Sequence, residues 1–133
     1  MCSMMLGIDY GSKRIGVAFV EEGSRVVLPL KEIENKNKDF VLSEIKKIIV
    51  EKDVKTIVVG LPLSLTGERG PKAQETQKFI DFLAASVSVP VKIVDERMTS
   101  RAADVLGAGT KGSRDIGAAM VILENYIERN QKL

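Results

Sequence analysis

Short apolar runs dominate the first quarter of the chain. Residues 4–8 form one run, which ends in a single carboxylate, Asp9, and residues 15–20 form a second. Gly11 and Ser12 turn the chain between them, so the two runs read as a β-hairpin. Glu21-Glu22-Gly23-Ser24 is a second turn, followed by uneven alternation over residues 25–33. That stretch is expected to be an edge strand, because Pro29 cannot donate to a ladder on both sides. Three strands joined by short turns make an antiparallel meander.

After residue 34 the period changes from two to that of a helix. Asn35-Lys36-Asn37-Lys38 is a polar break and a helix start, and Phe40, Val41, Ile45, Ile48 and Ile49 recur at helical spacing until Asp53 closes the element. Residues 55–60 then read as a fully apolar strand. A strand after a helix, without a hairpin, implies a parallel crossover buried on both faces. The loop over residues 60–71 is rich in Gly, Pro, Ser and Thr. It lies at the carboxyl end of a buried strand, where open α/β sheets place ligands. Residues 72–86 show a helical apolar face, and 91–94 a last strand, followed directly by Asp95, Glu96 and Arg97. Thr99 or Ser100 can cap a helix through Ala102, Ala103, Val105 and Leu106. Gly107, Gly109 and Gly112 break it, and Ser113-Arg114-Asp115 precedes a final helix over 116–129. This order predicts an α/β fold: a mixed five-stranded sheet, an antiparallel three-strand meander plus two parallel strands, with helices on both faces.

Composition narrows the chemistry. At 133 residues the chain is expected to be a single domain, 1–133, able to fold on its own core. The lone cysteine, Cys2, allows no internal disulfide framework and fits a reducing, cytoplasmic setting. No apolar stretch is long enough for a membrane span, and no basic-then-apolar leader opens the sequence. The net charge of +2 neither demands nor excludes a nucleic-acid partner. The chain has no histidine, which removes His-based triads, His zinc ligands and imidazole acid–base catalysis. Catalysis must then rest on carboxylates, Lys, Tyr, hydroxyls or a bound cation.

The acids are the first candidates. A carboxylate at the tip of an apolar strand needs a metal ion, a Lys or Arg, or backbone N–H groups as partner. An Asp that merely accepts hydrogen bonds from the turn it opens fits the same position. If the fourth strand pairs with the first, Asp9 meets the Gly60 loop, Asp95 and Glu96 lie one strand further, and Asp115 packs back to the same rim. Neighbours on a strand point to opposite faces, so at most one of Asp95 and Glu96 is a direct ligand. Lys13, Arg14, Arg69, Lys72, Arg97, Arg101, Lys111 and Arg114 fall in turns or helix starts near that rim. They suit phosphate contacts, and equally a solvated surface. Tyr10 suits stacking on a base or sugar, and equally core packing.

The strings GIDYGSKRIGVA, VVGLPLSLTGERGPKAQ, VDERMTS and RDIGAAMVILENYI resemble, in order and spacing, the blocks of the YqgF (RuvX) family. These are ribonuclease-H-like proteins described as Holliday junction resolvases and as nucleases maturing the small-subunit ribosomal RNA precursor. The resemblance covers nearly the whole chain, although the segment 99–114 is shorter and richer in glycine than the family pattern. It implies a ribonuclease-H-like fold and a metal-dependent endonuclease. Its catalytic, metal-binding acids would be Asp9, Glu96 and Asp115, with Asp95 as the alternative to Glu96. Lys13, Arg14, Arg69, Arg97 and Arg114 would contact nucleic acid, as monomer or homodimer. The expected cofactor is Mg2+ or Mn2+, hard cations that prefer oxygen ligands and need no histidine. Two rival readings share the fold element: a non-catalytic nucleic-acid or ribosome-binding module, and an actin-like nucleotide-binding domain.

Overall fold

The computed structural model describes residues 3–62, 70–96 and 114–131, with the side chains of Glu96, Arg114, Asn130 and Gln131 outside that description. The expected helix over 102–106 and the glycine-rich break at 107–112 lie outside it too. Strands β1 (Met4–Asp9), β2 (Arg14–Glu21), β3 (Leu28–Glu34), β4 (Val54–Pro62) and β5 (Val91–Glu96) form one sheet in the order β3-β2-β1-β4-β5. The β1–β2 and β2–β3 pairs are antiparallel, and β1–β4 and β4–β5 are parallel. The expected meander and crossovers are therefore present.

Helices α1 (Lys38–Lys52) and α2 (Pro71–Ser86) cover one face, and α3 (Arg114–Gln131) covers the other. Strand alternation supplies both interfaces. Leu6, Ile8, Ile57 and Val59 join the α1/α2 core, whereas Ala18, Val20, Val58 and Val94 meet Ala119, Ile122 and Leu123 of α3. Asn37 caps α1 by accepting the Phe40 N–H at 2.8 Å, and Asp53 ends it in a left-handed conformation, φ 52°. Among the described residues no helix is long and apolar enough to cross a membrane.

Several boundaries differ from the sequence expectation. The third strand starts at Leu28 rather than residue 25, because the Ser24 hydroxyl takes the Val26 N–H at 3.0 Å and holds a turn there. The fourth strand runs to Pro62 and the fifth to Glu96, because Leu61 and Pro62 still pair with Asp95 and Glu96. The last helix starts at Arg114, so Asp115 lies inside its first turn instead of before it. That turn is polar, and apolar periodicity cannot locate it.

The decisive contact of the fold is the seat of α3. A Cβ at Gly7 of β1 would stand 2.9 Å from the Ala119 carbonyl oxygen, and one at Gly16 of β2 would collide with the Asp115 carbonyl and stand 2.7 Å from the Ile116 nitrogen. The absence of side chains at these two positions lets the helix backbone rest directly on the sheet. Gly16→Ala should therefore lift the first turn of α3 and destabilise the protein by about 1–3 kcal/mol, as overpacking does in close-packed interiors. Thermal melting checks this, and an unchanged melting temperature would contradict the described seat.

Candidate active site

Three residues line up across three strands. Asp9 of β1 stands opposite Gly16 of β2, and Gly16 stands opposite Glu32 of β3. Residues directly opposite on paired strands share a face, and Gly16 lies under the start of α3. The first turn of α3 thus lands between two carboxylates and brings a third, Asp115, with it. Asp9 and Asp115 are close enough to repel each other, and Asp115 shares a side-chain hydrogen bond with Glu32.

Burial and repulsion shift these groups together. Desolvation pushes the Asp9 carboxyl up from its ordinary 3.8 to about 6; Lys72 opposes the shift and the Asp115 charge adds to it. Asp115 is also raised, first by burial and then by Glu32, while Arg14 and Lys72 draw it down. Lys72 acts on both acids. It sits in the first turn of α2, which carries no acidic residue. A cation is locally unfavourable at a helix N-terminus, so its charge is better explained by the acids facing it than by the helix it belongs to.

The other sequence candidates are placed less closely. Glu96 is the last residue of β5, paired with Pro62 on a strand separated from β1 by β4. Its position has the parity of Val94, which packs on the α3 face, whereas Asp95 has the parity of Val91, which packs on the α1/α2 face. The Asp95 carbonyl accepts a long hydrogen bond, 3.4 Å, from Arg129. Lys13 and Arg14 are exposed at the β1–β2 turn. Arg69, Arg97, Arg101 and Lys111 lie outside the described residues, as does the Arg114 side chain. Among the described residues, no three acidic side chains gather closely enough to hold a metal ion. Tyr10 packs: its ring stacks on Phe79 with centroids 4.5 Å apart, and its hydroxyl donates to Glu75 at 3.5 Å. Glu32 was not among the candidates drawn from the sequence.

The fold is of the ribonuclease-H-like class, shared with solved Holliday junction resolvases. RuvC of T. thermophilus, solved in complex with Holliday junction substrate, matches with a TM-score of 0.67 at 15% identity, covering 98% of this chain and 96% of that one. The fowlpox virus Holliday junction resolvase matches with a TM-score of 0.59 at 15% identity, covering 96% and 99%. At such identities the likeness is one of fold. The family model "RuvX: Holliday junction resolvase" matches residues 3–129. A Chloroflexus aggregans protein named "Putative pre-16S rRNA nuclease" is 39% identical over 131 residues, 93% of this chain and 92% of that protein. One of the same name from Halothermothrix orenii is 37% identical over 136 residues, 97% of each chain. This chain belongs to the RuvX (YqgF) family of nucleases, which selects that branch over an actin-like nucleotide-binding domain.

The raised Asp9 pKa makes a signed prediction. Below the unfolded value of 3.8 Asp9 is protonated in both states and carries no penalty; the penalty grows as pH rises to about 6 and is complete above it. Asp9→Asn should therefore stabilise the metal-free protein at pH 8 by up to about 3 kcal/mol, two pK units at 1.36 kcal/mol each, and by almost nothing well below 3.8. Melting curves across that range check it. A loss of stability comparable to a core deletion would make Asp9 a structural turn residue.

Proposed function

We propose that this chain is an endonuclease of structured nucleic acid that works with Mg2+ or Mn2+ held by Asp9, Asp115 and Glu96. The observation that carries this reading is the apposition of Asp9 and Asp115 on the α3 face. Two partly buried carboxyl groups with raised pKa values and all-oxygen donors are suited to a hard divalent cation. The parity of position 96 favours Glu96 over Asp95 as the third ligand. Glu32, hydrogen-bonded to Asp115, orients that ligand from the far side. A bound divalent cation supplies a deprotonated water as nucleophile and stabilises the leaving oxygen of a phosphodiester.

The remaining chemistry belongs to the chain. Lys72 holds a positive charge opposite both acids and orients a non-bridging phosphate oxygen as it approaches them. Lys13 and Arg14, exposed beside Asp9, hold the backbone of the same strand. Processing of the 16S rRNA precursor is the favoured substrate reading, because relatives at 39% and 37% identity along nearly their whole length carry that name. Such a substrate also fits a cytoplasmic protein. Junction resolution is the second reading and rests on the family description.

Cleavage of precursor ribosomal RNA and of branched DNA, side by side with Mg2+ or Mn2+, tests this. Asp9→Asn should lower cleavage at least about 100-fold, the upper end of what loss of even an outer-shell partner costs a metal site. Cleavage that persists in Asp9→Asn, or a wild type that binds and never cleaves, would favour the non-catalytic module. Lys13→Ala should reduce the log–log salt slope of binding by about one unit without altering sequence preference. An unchanged slope would make Lys13 a solvated surface residue.

A further inference from the structure

The site on the α3 face leaves one feature unexplained. On the opposite face a cavity of about 230 Å³ opens between the start of α1 and the length of α2. Its wall is aromatic: Tyr10, Phe79 and Phe82. Lys38 and Lys78 stand on its lining with Glu75. Tyr10 directly follows Asp9 in the chain, so the cavity and the acid site share the same end of β1 on opposite faces of the sheet. Along α2, Lys72 faces the acids and Phe79 and Phe82 lie about two to three turns further, roughly 10–15 Å away.

We propose that this cavity takes one unpaired nucleobase of the substrate, on the strand that runs past Asp9. The proposal rests on the nuclease reading above and adds to it the class of substrate: one with an unstacked nucleotide on the same strand as the cleaved bond. Size agrees, since the cavity is smaller than the roughly 300–1,000 Å³ pockets that take drug-sized ligands and suits a single ring system. Composition agrees as well. Bases extruded from a stack are received on aromatic side chains, with cations following the backbone. The charges set the orientation. Glu75, which accepts the Tyr10 hydroxyl, disfavours a phosphate beside it, whereas the Lys38 ammonium lies over the Phe82 ring, 5.5 Å from its centroid. The base therefore enters and the phosphates stay outside with the lysines. The Tyr10–Phe79 stack holds the wall in place before substrate arrives.

The test compares a short single-stranded RNA with a fully abasic strand of the same length, which carries the same charges and no bases. Both are titrated with the full chain in calcium and read by anisotropy. Wild type should prefer the strand with bases by about tenfold, within the range that one base–aromatic stack contributes. Phe82→Ala and Tyr10→Leu should each abolish that preference while leaving affinity for the abasic strand unchanged. Phe82 is half-exposed, so its variant carries the test if Tyr10→Leu fails to fold by its melting curve. Equal preference in wild type and Phe82→Ala would overturn the cavity assignment. If those variants behave as wild type while Asp9→Asn still abolishes cleavage, only the cavity proposal falls; if wild type binds neither strand nor precursor RNA, the nuclease reading falls with it.

Discussion

The contact between the first turn of α3 and Gly16 sets the position of the candidate acids. Helices normally pack on sheets through side chains on both surfaces, at a separation too large for a helix terminus to join a cross-strand row. Here Gly7 and Gly16 remove those side chains along the path of α3, and the helix backbone descends onto β1 and β2. Asp115 is thereby delivered between Asp9 and Glu32, residues that the pairing of β1, β2 and β3 has already placed in line. A residue more than a hundred positions away in sequence becomes the neighbour of Asp9 through packing alone.

The electrostatics follow from that placement. Bringing carboxylates together at a partly buried position is unfavourable, and the protein answers in two ways. Protons stay on the acids to higher pH than usual, at Asp9 and at Asp115. Cations from elsewhere are aimed at them, Arg14 from the strand start and Lys72 from the start of α2, where the helix itself disfavours positive charge. Each partly offsets the repulsion between the carboxylates. A site designed only for stability would place neutral groups here.

How far the sequence reveals this depends on the residue. Asp9 stood out because an apolar run ended in an acid, and Asp115 because it opened an amphipathic helix. The sheet order was readable because turns of a few residues and two crossovers leave few alternatives. Glu32 was hidden by a register shift. Between Val17 and Ala18 the β2–β3 ladder slips by one residue, with Ala18 opposite Pro29 and Val17 opposite Lys31. Counting back from the turn without that bulge places Glu32 on the wrong face, since a one-residue slip reverses every side chain. Gly16 was equally silent, because a glycine in a strand does not declare which helix will rest on it. Lys72 was visible only as one of several basic residues near a rim; its pairing with two acids needs the start of α2 in place.

The central claim is that the burial of Asp9 beside Asp115 creates a site in which a divalent cation takes the place of a proton. Calorimetric titration with Mn2+ at pH 6, repeated in two buffers of different ionisation enthalpy, measures both binding and the protons released. The account predicts binding to wild type with release of about half a proton more than Asp9→Asn releases, the share of Asp9, whose pKa is about 6. Binding of equal strength to both proteins, with no proton released from either, would contradict it.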